Sequence, residues 1–152
     1  MYQRILVPVD GSPPSDRGLD EAIELARNQS AELMLIHVVE DWKVAAGDVA
    51  ALNLQGGMER LREVGRAIVN EAERRTHKAG IPAKSEVLEE FGLPVGACIV
   101  RRARKWPADL IVCGTHGRRG ASRLLLGSDA EYVLRHTPVP LLLLRLQNGG
   151  GD

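Results

Sequence analysis

Aromatic side chains are scarce: two Trp, two Tyr and one Phe in 152 residues. A core must therefore be aliphatic, built from Leu, Val, Ile and Ala, and a hydrophobic share of 44% is enough to build one. The scarcity also removes the interleaved aromatics on which single-stranded nucleic acids stack. Net charge is the second absence. Twenty Lys and Arg are matched by twenty Asp and Glu, so no global field attracts a polyanion, and nucleic acid is not an expected partner. The basic run RRARK (101–105) reads as a solvated helix face. Cysteine is limited to Cys98 and Cys113, which form neither a CxxC pair nor a metal-ligand spacing. Both are expected to be reduced, small and buried. No apolar run approaches the ~18 residues of a membrane span, and the opening MYQRILVPVDG carries no signal-peptide core. The expectation is a cytoplasmic protein with no membrane partner, and the length suits one domain.

What the chain does hold is an alternation of apolar runs and helical periods. RILVPVD (4–10) has the largely apolar run of a strand buried on both faces, and AELMLIHVVE (31–40), ADLIVCG (108–114) and PVPLLLLR (138–145) read as further strands. PAKSEVLEE (82–90) alternates roughly and is the least apolar strand. Leu19, Ile23 and Ala26 predict a helix opened by Ser12 and Pro13. Met58, Leu61, Val64, Ile68 and Ala72 predict a second from about Met58 to Lys78, stopped by Gly80. Val95, Ile99, Val100 and Ala103 predict a third over 94–105, and a fourth covers 128–136. Residues 41–57 read as a loop or a short broken helix. The β-α-β-α-β-α-β-α-β order predicts a single doubly wound, Rossmann-like α/β domain over 1–146, with helices on both faces of a parallel sheet. The tail, 147–152, is expected to fray.

Such sheets bind ligands beyond the carboxyl ends of their strands, where strand order reverses. The first strand ends in Pro8-Val9-Asp10-Gly11. Asp10 there either accepts hydrogen bonds from a ribose or an adenine edge, or joins Ser12 in satisfying backbone amides at the helix start. The fourth strand runs into GTHGRRGASRLLLGS (114–128). Gly114, Gly117 and Gly120 allow tight turns and close approach to a ligand, and successive amides can form an anion nest. Arg118, Arg119 and Arg123 add planar donor forks suited to phosphate oxygens. Gly127-Ser128 opens a helix whose first amides are free to bind an anion. The competing account is a capping box from Ser128 to Glu131, which would satisfy those amides internally. No Gly-Lys-Ser/Thr makes this a Walker A loop, and it is not a GxGxxG turn. No nucleophile elbow, H-E-x-x-H or Ser-His-Asp spacing is present. No catalytic residue or metal ligand is assigned, and His116 is the one histidine in the proposed site.

Gly114-Thr115-His116-Gly117, nine residues, then Gly127-Ser128, together with ILVPVDGS (5–12), HVVE (37–40) and ADLIVCGTHG (108–117), closely resembles the ATP-binding branch of the universal stress protein family. The resemblance implies a five-stranded sheet in order 3-2-1-4-5. It implies ATP as the ligand, with ADP or AMP as alternatives and Mg²⁺ held through the phosphates. Asp10, with Pro8 and Val9 beside it, would meet the ribose or base, and the Val38 backbone would meet adenine. Cys113, Gly114 and Gly117 would form the floor. Gly127 and Ser128 would bind phosphates through amides and hydroxyl, with His116 and Arg118 nearby. Asp129 departs from the family, which commonly has a small or apolar residue there. Its carboxylate would repel a γ-phosphate, reach Mg²⁺ indirectly, or point away, and Asp129→Val is expected to tighten ATP more than AMP. The apolar edge VPLLLL (139–144) implies a homodimer. The expected function is a dimeric nucleotide-binding module in stress response or signalling, acting on a downstream protein. The alternatives are a slow magnesium-dependent hydrolase or nucleotidyl-transfer enzyme in the same pocket, and a nucleotide-free structural dimer.

Overall fold

The structure, a computed structural model, describes residues 1–40, 54–116 and 126–146. The apolar runs form five strands: β1 Arg4–Pro8, β2 Glu32–Val38, β3 Ala83–Leu88, β4 Leu110–Gly114 and β5 Leu141–Leu144. Between them, among the described residues, lie four helices: α1 Pro13–Gln29, α2 Leu54–Lys78, α3 Val95–Lys105 and α4 Ser128–His136. Every strand pairing is parallel, in the order β3-β2-β1-β4-β5. The chain adds β2 and β3 on one side of β1, and β4 and β5 on the other, so the order reverses between β1 and β4.

The period-two alternation of the strands sorts the core into two layers. Ile5, Val7, Leu33, Leu35, Leu110 and Val112 face α1 and α2, meeting Leu19, Ala22, Val69 and Ala72. Leu6, Met34, Ile36, Ile111 and Leu88 face α3 and α4, meeting Cys98, Ile99, Ala103 and Val133. Both faces of the central strands are therefore buried, which is why their sequences read as continuous apolar runs.

Local chemistry sets the helix ends. The Ser12 hydroxyl caps α1, accepting from the Ser15 amide at 3.4 Å, with proline at the first helical positions. Gly80 closes α2 at φ 73°, the left-handed conformation that glycine adopts without strain. Helix α2 begins at Leu54, not at the Met58 that its apolar period suggests, so Gly56 and Gly57 belong to its first turn. The ~1 kcal/mol glycine penalty applies to helix interiors, and first-turn amides lack intrahelical partners in any case. Residues 41–53 of the segment read as a loop, and the tail 147–152, lie outside the described residues. Among the described residues no helix is long and apolar enough to cross a membrane.

Candidate functional site

The reversal between β1 and β4 brings the exits of both strands together, flanked by the end of β2 and the start of α4. Pro8, Val9, Asp10, Val38, Cys113, Gly114, His116, Gly127, Ser128 and Asp129 all lie along this carboxyl end of the sheet. Gly117 and Arg118, with Arg119, Gly120 and Arg123, lie outside the described residues, as does Trp42.

The β1 exit is internally bonded. Val9 donates its amide to Ile36 at 2.8 Å, and its carbonyl lies 2.8 Å from Nδ1 of the buried His37. A carbonyl only accepts, so Nδ1 carries the proton. Asp10 follows in a tight turn through Gly11 at φ 77°. Its Oδ1 accepts from the Ser12 amide at 2.8 Å, and its own amide donates to Ser15 Oγ at 3.0 Å. The turn-holding account of Asp10 and Ser12 is thus real for Oδ1. It also fixes a half-buried carboxylate at the tip of the central strand. Val38 is buried at the end of β2, its side chain in the layer under α3.

The β4 exit is shaped by contact with α1. A Cβ on Gly114 would lie 2.7–2.8 Å from Pro14 main-chain and side-chain atoms. Gly114 has no positive φ. The close approach it permits is therefore to Pro14, a protein neighbour, rather than the tight turn that its sequence suggests. Gly18 completes the fit, its missing Cβ facing the Gly114 amide at 3.4 Å. Beside it, burial pushes the Cys113 thiol up to about 12. Burial, and then the charge of Glu90, push Cys98 up as well. Both thiols stay protonated at neutral pH, so neither is poised as a nucleophile.

Thr115 ties the site together, and the sequence pattern gives it no weight because it sits at a variable place between the two glycines. Its amide donates to Leu144 at 2.9 Å, and its carbonyl accepts the Gly127 amide at 2.9 Å. Its hydroxyl lies 3.1 Å from His116 Nδ1. The loop that leaves β4 therefore returns onto its own first residue. This engages the Gly127 amide, which the sequence assigns to a phosphate. The Ser128 amide opens the helix instead.

The capping box does not form. The N-cap is Gly127, without a side-chain hydrogen bond, and Ser128 is the first helical residue, exposed to solvent. Glu131 turns forward to Arg135 at 2.9 Å rather than back to the cap. Asp129 takes the third of its three fates: Oδ1 accepts from the Gly96 amide at 3.1 Å, on the neighbouring helix α3. It is thereby turned toward α3.

Outside this end of the sheet, a shallow depression lined by Gln3, Arg4, Ser30, Glu32 and Pro82 sits among the opposite, amino-terminal strand ends. It gathers no cluster of titratable groups. Among the described residues no group of three His, Cys, Asp or Glu is placed to hold a metal ion. The candidate site thus offers a carboxylate, a helix start, a hydroxyl and a small-residue floor. Groups of these kinds can bind and orient a polar ligand.

Comparison with known proteins gives the site its context. The model of the universal stress protein family matches residues 1–145. A universal stress protein of Methanocaldococcus jannaschii is 35% identical over 145 residues, covering 95% of this chain and 83% of that protein. The universal stress protein A homolog 2 of Coxiella burnetii is 36% identical over 155 residues, covering 96% and 97%. Among solved structures, a family member from Burkholderia pseudomallei has a TM-score of 0.75 at 29% identity, covering 94% of this chain and 96% of its own. The fold is shared with an Archaeoglobus fulgidus protein in complex with dAMP, at TM-score 0.69 and 22% identity, covering 94% and 98%. It is shared too with an Arabidopsis thaliana protein with AMP bound, at TM-score 0.67 and 12% identity, covering 97% and 93%.

Proposed function

Because the chain belongs to the universal stress protein family, we propose that it binds an adenine nucleotide across the reversal point of its sheet. The observation that carries this reading is the fold-back of Gly127 onto Thr115 at 2.9 Å. It sets the start of α4 beside the β1 and β4 tips, with no side-chain cap on its first turn. The dAMP and AMP complexes of proteins with this fold support adenine as the base.

In this reading ATP is the principal ligand, ADP and AMP enter the same place, and Mg²⁺ is carried by the phosphates. Asp10 takes the ribose or the base edge, and the Val38 backbone meets adenine. Cys113 and Gly114 floor the pocket. Ser128 and the first-turn amides of α4 hold phosphate, with His116 beside them. Gly117 and Arg118 join from the sequence pattern alone. The protein is a cytoplasmic binding module in stress response or signalling, it pairs with a second copy through β5, and nucleotide occupancy is its signal to a downstream protein.

Gentle purification, denaturation and mass identification of released small molecules test this. ATP, ADP or AMP at about one per chain is the expected result. A nucleotide-free protein that shows no heat of binding with ATP, AMP or adenosine overturns it.

A further inference from the structure

Three features outside the proposed contacts stand out: the exposed Phe91 and Leu93 before α3, the buried His37 under α2, and the carboxylate of Asp129 on α3. The first has nothing to identify its occupant, and the second is already bonded within the sheet. The third joins the proposed phosphate end of the site to a separate helix.

Helix α3 starts without a cap of its own. Its N-cap is Pro94, which has no side-chain acceptor, so the amide of Gly96 in the first turn needs an acceptor from elsewhere. Asp129 supplies it at 3.1 Å from the second residue of α4. The two helices touch there. A Cβ on Gly96 would lie 2.8 Å from the Asp129 carbonyl and 2.7 Å from the Tyr132 Cβ. The missing side chain at 96 therefore lets the first turn of α4 press onto the first turn of α3, and the carboxylate locks that contact.

The start of α4 is thus held from two directions. Gly127 is bonded to Thr115 at 2.9 Å on the sheet side, and Asp129 is bonded to Gly96 on the helix side. The second tie also has an electrostatic consequence. A carboxylate in the first turn of α4 would oppose a phosphate on the same turn. Turned into the positive end of α3, it is held by an amide and a helix dipole of its own.

We propose that Asp129 is a positioning residue for phosphate: it fixes the first turn of α4 on α3 and directs its own charge away from the ligand. This rests on the adenine-nucleotide reading above, and it reverses the expectation that Asp129→Val tightens ATP. Removing the acceptor frees the turn that carries Ser128. Asp129→Asn keeps an oxygen acceptor for Gly96 and removes only the charge.

The test compares wild type, Asp129→Asn and Asp129→Val by calorimetry with ATP, AMP and adenosine, and follows Gly96 amide exchange by NMR in the absence of nucleotide. Asp129→Val is expected to weaken ATP by about tenfold, as loss of a group that orients a binding residue does, and to leave adenosine unchanged. Asp129→Asn is expected to bind ATP as wild type does. Gly96 should exchange slowly in wild type and Asp129→Asn, and rapidly in Asp129→Val. Tighter ATP binding in both variants would show the carboxylate acting directly on the phosphates and overturn the proposal. Equal weakening of ATP and adenosine would show a general loss of structure and also overturn it, as would Gly96 exchange indifferent to all substitutions. Wild-type protein that binds none of the three ligands while Gly96 responds as expected would instead overturn the nucleotide reading, leaving the tie between the helices as architecture alone.

Discussion

At the scale of single residues, the site is built by what is missing and by what is kept neutral. Gly114 lies against Pro14 so closely that a methyl group would sit 2.7 Å from a backbone carbon. Backbone cannot swing aside as a flexible side chain can, so Gly114→Ala must push β4 and α1 apart. It is expected to cost about 1–3 kcal/mol, the usual range for overpacking, read as a lower urea midpoint at unchanged slope. An unchanged midpoint would show that the strand tip yields freely. Cys113 provides a pH signature. Its ordinary value is near 9 and burial raises it to about 12. Below about 9 both folded and unfolded thiols are protonated, and the buried thiol's contribution is fully present. As pH climbs from there toward 12 the unfolded chain loses this proton while the folded chain keeps it, so stability falls with rising pH. Cys113→Ala is expected to make that alkaline decline shallower. Equal declines in denaturation series from neutral to strongly alkaline pH would contradict the burial account.

At the scale of elements, two serines at helix starts show how far sequence reasoning reaches. Ser12 was legible as a cap because the cap, the proline and the helix lie within a few consecutive residues, and the structure places its hydroxyl on the Ser15 amide. Ser128 reads equally well as a cap with Glu131, yet Gly127 takes that position and Arg135 takes the glutamate. The deciding interactions there are distant in sequence: Thr115 fixes Gly127, and Gly96 fixes Asp129. The same distinction explains why the strands and the helices were readable from local periods, while the glycine pattern was readable through its family resemblance. The reasons for Gly18, Gly65 and Gly96 were not, since each meets a neighbour from another element: the Gly114 amide, the His37 ring, and the Asp129–Tyr132 turn. Stability measurements should separate the two serines. Ser12→Ala is expected to cost about 1 kcal/mol as a lost cap. Ser128→Ala is expected to stay within about 0.5 kcal/mol, as an exposed residue does, while weakening ATP. The reverse order of stabilities in thermal melts would restore the capping box.

At the scale of the whole molecule, the unresolved demand is the outer edge of β5. The strand pairs with β4 along one side, Ile111 with Leu141 through Gly114 with Leu144, and among the described residues no strand follows it. Four consecutive leucines remain half-buried rather than buried. Leu142 and Leu144 pack into the layer under α1 and α2, and Leu141 into the layer under α3 and α4. Leu143 belongs to neither cluster, which leaves it as the side chain with most to gain from a partner. An open apolar edge invites pairing with another chain, and a two-fold axis satisfies both copies with one surface. The proposed dimer then has a selective test. Leu143→Lys places a charge at the edge without removing a leucine that either core layer uses. Sedimentation should show a dimer for wild type and a monomer for Leu143→Lys, with the same far-ultraviolet circular dichroism for both. A wild-type protein that sediments as a monomer at every concentration would leave β5 to be covered from within its own chain, and pairing through this strand would then be wrong.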